Sequence, residues 1–70
     1  MRFVERLRAA RQRKHLSQEM LARLLGVTKQ SVSCWECGLN FPSRKRLDQL
    51  CVLFDWDYDQ MEALCTMDKE

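Results

Sequence analysis

Glycine and proline are scarce in this chain, with two glycines and one proline among 70 residues. Together with 46% hydrophobic residues, that scarcity argues against long loops and for a compact helical domain. No apolar run approaches a membrane span; the longest, Leu50–Phe54, is five residues. The first segment, MRFVERLRAAR, is rich in arginine and lacks the apolar core of a secretory signal. There is no repeat and no low-complexity tract. Histidine is as scarce as proline, with His15 alone. No nucleophile is paired with a base and no loop cradles phosphate, so the sequence offers nothing for catalysis. An enzyme is not expected, and neither is a cofactor.

Seventy residues make one domain, with a core that is marginal unless the helices are regular or two chains pair. The net charge of +2 conceals an uneven distribution. Residues 2–14 hold six basic groups against one acid, a balance of +5. Residues 55–70 hold six acids against one lysine, a balance of −5. A polyanion such as a phosphate backbone would meet the basic part and be repelled by the acidic one.

Apolar spacing gives five short helices. The first runs over about Phe3–Lys14, with Phe3, Leu7 and Ala10 on one face. In LSQEMLARLLGVTKQSVSCWECG (16–38), Ser17 is an N-cap and Met20 and Leu21 open an apolar stripe. Leu21, Leu24 and Leu25 share one face, and Ala22 is small enough for a close helix crossing. Gly26 follows the stripe, where a left-handed residue ends a helix abruptly. Val27 plugs the turn, Thr28 caps the next helix, and Val32 and Trp35 form its narrow buried edge. Gly38 ends it. Ser43 caps a fourth helix carrying Leu47, Leu50, Cys51 and Phe54. Asp57, with Gln60 three residues on, opens a fifth that buries Met61, Leu64 and Cys65. Residues after Cys65 are expected to fray.

Small residue, glycine, apolar plug, cap and apolar pair fall at mutually consistent spacings, those of a helix-turn-helix over about residues 17–37. The chain resembles the phage Cro and lambda-type repressor family, also called the xenobiotic-response-element family of regulators. The resemblance covers about residues 3–64. It rests on LSQEMLARLLGVT, on VSCWECG ending the third helix, on FPS leading into the fourth, and on DWDYDQM near the end. Two positions depart from the family pattern. Cys37 stands where Arg or Asn is usual, and Asp55 where a Gly commonly precedes the last helix.

The resemblance implies an all-α, five-helix, lambda-repressor-like domain whose third helix lies in the major groove of double-stranded DNA. Lys29, Gln30, Ser33 and Cys34 lie opposite or beside the Val32–Trp35 edge and are the candidate base contacts. Gln30 can pair twice with adenine, and Lys29 can donate to guanine or to phosphate. Phosphate positioning falls to Gln18, Thr28, Ser31, Asn40, Arg44 and Lys45. Gln18 and Arg44 lie near helix N-termini, whose N–H groups favour anions. Arg11 and Glu36 are expected to form a structural ion pair, because a carboxylate beside Trp35 would be costly alone. The family ties its first and third helices with a similar Arg and Glu.

Cys34 and Cys37 form a C-x-x-C, but Cys51 and Cys65 stand 14 residues apart and supply no matching ligand pair. No metal site is expected, and Cys51 and Cys65 read as small core residues. Val52, Leu53, Phe54, Trp56 and Tyr58 offer more apolar surface than so small a core absorbs. The family dimerises through this region, so these residues are the candidate homodimer interface. The expectation is a cytoplasmic, nucleoid-associated transcription regulator, a Cro-like phage or plasmid repressor on a pseudo-palindromic operator, without membrane contact. Two alternatives stay open: an antitoxin that also binds a toxin partner, and a cysteine-based redox or metal sensor.

Overall fold

A computed structural model describes residues 2–69, with side chains through Met67. Five helices follow one another: α1 (Phe3–Arg13), α2 (Gln18–Leu25), α3 (Lys29–Cys37), α4 (Arg44–Phe54) and α5 (Tyr58–Lys69). No strand occurs among the described residues.

The helix starts follow from short polar side chains. Ser17 Oγ accepts from the backbone N–H of Met20 at 3.0 Å, and Thr28 Oγ1 from that of Ser31 at 3.1 Å. Asp57 Oδ1 accepts from Gln60 N at 3.1 Å, opening α5. Ser43 Oγ accepts from Arg46 N at 3.4 Å, a longer version of the same cap.

The ends of α1 to α4 share one closing device. A left-handed residue is followed by an apolar residue whose N–H reaches five residues back. The four reaching bonds are Leu16 to Arg11, Val27 to Ala22, Leu39 to Cys34 and Trp56 to Cys51. Gly26 (φ 76°) and Gly38 (φ 77°) hold the left-handed position in α2 and α3. In α1 and α4 it is held by His15 (φ 57°) and Asp55 (φ 58°), side chains that adopt it at a cost. Asp55 therefore sits at a backbone position that glycine suits, which accounts for the family's usual residue there.

The core is built by Phe3, Leu7, Leu21, Ala22, Leu25, Val32, Trp35, Leu47, Leu50, Cys51, Met61 and Cys65. α2 packs on α3, α1 covers α3 and α5, and α4 bridges α2 and α5. The basic α1 thus lies against α5, so the charge separation read along the sequence is partly closed up in space.

One expectation, the burial of the whole apolar stripe of α2, is corrected. Met20 and Leu24 are exposed, because the buried arc of α2 is only as wide as Leu21, Ala22 and Leu25. α5 stays helical through Lys69, and Thr66 Oγ1 donates to the carbonyl of Glu62 at 3.1 Å within it. Glu70, also expected to fray, lies outside the described residues. Phe54 and Trp56 are half-buried against their own core. Their rings are 4.9 Å apart, and Trp56 meets Phe3 edge-on at 6.4 Å.

Candidate nucleic-acid interface

α2 and α3 meet through a turn formed by Gly26, Val27 and Thr28. Val27 is half-buried on the core, so the turn is anchored from within. Val32 and Trp35 face inward from α3. That leaves Lys29 and Gln30 exposed in its first turn, with Ser33 and Cys34 half-buried beside them. A helix with its side chains is about 10–12 Å across, which fits a major groove about 12 Å wide.

Glu36 fixes the pitch of α3. Its side chain is 1% exposed. Arg11 Nε donates to Oε2 at 2.6 Å and Arg11 Nη2 to Oε1 at 3.1 Å, a two-pronged pairing across α1 and α3. Gln18 Nε2 donates to Oε1 at 3.2 Å, which adds α2. Arg11 Nη1 also donates to the carbonyl of Leu16 at 2.7 Å, closing the loop between α1 and α2. Arg8 donates to the Glu36 carbonyl at 3.2 Å, and its Nε lies 3.6 Å from Oε1. Gln18, expected at the phosphates, thus already spends one donor inside the protein.

Arg8 was not anticipated; its spacing of three from Arg11 was the available signal. Arg46 was not anticipated either. It donates to the carbonyl of Leu25 at 2.7 Å and to Gln49 Oε1 at 2.9 Å, tying α4 to the end of α2. Nothing in the sequence marks which basic residue of RKR turns inward.

Gln18, Lys29 and Arg44 are each the first residue of a helix, where free backbone N–H groups favour anions. Thr28, Asn40, Arg44 and Lys45 are exposed. The Thr28 and Ser31 hydroxyls lie 3.0 Å apart and share a hydrogen bond. Arg44, Tyr58 and Glu62 line one small cavity of about 110 Å³. Desolvation and the Glu62 carboxylate raise the pKa of the Tyr58 phenol, while Arg44 opposes them.

The five residues expected at a dimer interface separate into three neighbourhoods. Val52 and Leu53 line a groove with Leu24, Leu25, Asp48 and Gln49. Phe54 and Trp56 lie beside Ala10, Arg13 and Lys14 of α1. Tyr58 lies with Arg44. Of the five, Val52 is the most open, at 78% exposure.

An inward-locked α3 with a polar outer face, flanked by helix N-termini, defines a helix-turn-helix DNA-binding module. The chain belongs to the helix-turn-helix domain family, matching it over residues 2–64. It is also similar to the HTH-type transcriptional activator BcrR of Enterococcus faecalis, with 34% identity over 70 residues. That alignment covers 96% of this chain and 34% of the relative, so the chain spans about a third of the relative's length. No solved structure matches it significantly. Among the described residues no helix is long and apolar enough to cross a membrane.

Proposed function

We propose that this protein is a sequence-specific, double-stranded-DNA-binding transcription regulator that acts as a homodimer on a pseudo-palindromic operator. The observation that carries this reading is the locked α3, which turns Lys29 and Gln30 outward while Glu36 anchors its far end. Gln30 and Lys29 read base edges, with Ser33 and Cys34 beside them. Gln18, Thr28, Ser31, Asn40, Arg44 and Lys45 set register on the phosphates. The dimer face is centred on Val52 and Leu53, with Leu24 completing the groove. Repression by occlusion needs nothing beyond the bound domain, whereas activation, which the relative's name records, needs a further contact with polymerase.

Selection of duplexes from a random pool by the purified protein tests the reading. A related pair of inverted half-sites should emerge. Affinity for the selected duplex should fall steeply between low and moderate salt, because bound Lys and Arg displace counterions. An unenriched pool, or an affinity indifferent to salt, overturns the proposal. A reporter with the selected site overlapping its promoter then distinguishes repression from activation.

A further inference from the structure

Cys34 and Cys37 both belong to α3, three residues apart. Neither is in a disulfide; Cys34 is half-buried and Cys37 exposed. Residues at this spacing are neighbours on a helix surface, with Cβ atoms about 5–6 Å apart. A disulfide wants them about 3.5–4.5 Å apart, so direct oxidation would require the last turn of α3 to unwind. An ion between the sulfurs, with two bonds of about 2.3 Å, spans the wider gap while the helix stays intact. Among the described residues no three His, Cys, Asp or Glu side chains gather as a metal cage. The pair therefore suits a ligand satisfied by two thiolates, not the four-ligand shell of structural zinc.

We propose that Cys34 and Cys37 form a dithiol site for a trivalent thiophilic metalloid, and that its occupation releases the protein from DNA. With arsenous acid, As(OH)3, each thiol gives its proton to one departing hydroxyl. Two As–S bonds form, two As–O bonds break, two waters leave, and arsenic stays trivalent with one hydroxyl. The adduct then projects from the outer face of α3, beside Ser33 and Gln30. The other two thiols are unlike this pair. Cys51 and Cys65 are buried on α4 and α5. Burial, with Asp48 and Asp57 nearby, raises the Cys51 pKa, which disfavours its thiolate. The release from DNA rests on the function proposed above; the dithiol site does not.

The test uses sodium arsenite with a reductant that is not a thiol. On free protein, intact-mass spectrometry should show one arsenic per chain with two waters lost. Cys37→Ser removes an exposed thiol outside the base-reading set. It should bind arsenite about 10²–10⁴-fold more weakly, the loss expected when a second ligand is no longer held close. Equal affinity in wild type and Cys37→Ser overturns the site. Arsenite should also release the wild-type protein from its selected duplex and leave Cys37→Ser bound. A wild-type complex that persists with arsenic attached overturns the release. Failure to bind any duplex without arsenite overturns the DNA reading and the release with it, while the site is still judged on the free protein.

Discussion

Arg11 and Gln18 reach Glu36 from two different helices, and the carboxylate they hold is almost wholly out of water. Replacing Arg11 removes the pairing but leaves the charge. Arg11→Ala should therefore cost about 3 kcal/mol of stability. Arg8 and Gln18 keep the loss toward the low end of what a stranded buried charge costs. Adding Glu36→Ala should recover part of the loss, since the orphaned charge is then gone. Urea denaturation of the single and double variants measures both. An Arg11→Ala midpoint equal to that of wild type would mean that the pair contributes nothing to folding.

Asp55 presents the opposite case, a residue in a conformation that suits it poorly. Asp55→Gly should stabilise the domain by about 1 kcal/mol, because the left-handed backbone is strained for a side chain and free for glycine. The gain is reduced by the entropy that glycine adds to the unfolded chain. An unchanged or lowered denaturation midpoint would show that Asp55 carries no net strain.

Among the elements, α3 divides along its length. Its inner edge and its far end are fixed by Val32, Trp35 and Glu36, while Lys29 and Gln30 in the first turn are open. Gln30→Ala should lose about 1–3 kcal/mol of discrimination between the selected and a scrambled duplex, with non-specific affinity nearly unchanged. Lys29→Ala at the same salt concentration is the comparison. Equal weakening on both duplexes would make Gln30 a positioning residue and shift the reading to Lys29, Ser33, Cys34 or DNA shape.

What was legible in the sequence follows the range over which each signal acts. Ser17, Thr28 and Asp57 announce helix starts because a cap bonds to a backbone N–H three residues away. Gly26 and Gly38 announce ends for an equally local reason. His15 carries no such mark, yet takes the same backbone conformation because the turn to Leu16 demands it. Met20 and Leu24 mislead because periodicity shows which residues share a face, not how far a neighbouring helix covers it. The inward turn of Arg46 depends on where the carbonyl of Leu25 ends up, which is a matter of tertiary placement.

For the whole molecule, the proposed dimer rests on one groove. Val52 is exposed and outside the core, so a charge placed there should spare the fold. Val52→Glu should shift sedimentation from dimer toward monomer, leave the thermal midpoint of dilute protein nearly unchanged, and weaken operator binding. Trp56 is a worse probe, because its ring packs on Phe3 and Phe54 and its loss would injure the core as well. A dimer indifferent to Val52→Glu would remove this groove from the interface.

The bonds that hold α3 and the side chains that α3 offers to a groove belong to different residues. Glu36, Arg11 and Gln18 secure the helix; Lys29 and Gln30 extend from it, exposed to solvent. Changing target and keeping the fold are therefore nearly independent problems for this chain. If Lys29 and Gln30 read bases as proposed, descendants could exchange them repeatedly and acquire new operators with little change in stability. The same separation makes the domain a frame for retargeting, in which a small library at two exposed positions samples new specificities while the anchoring carboxylate stays fixed.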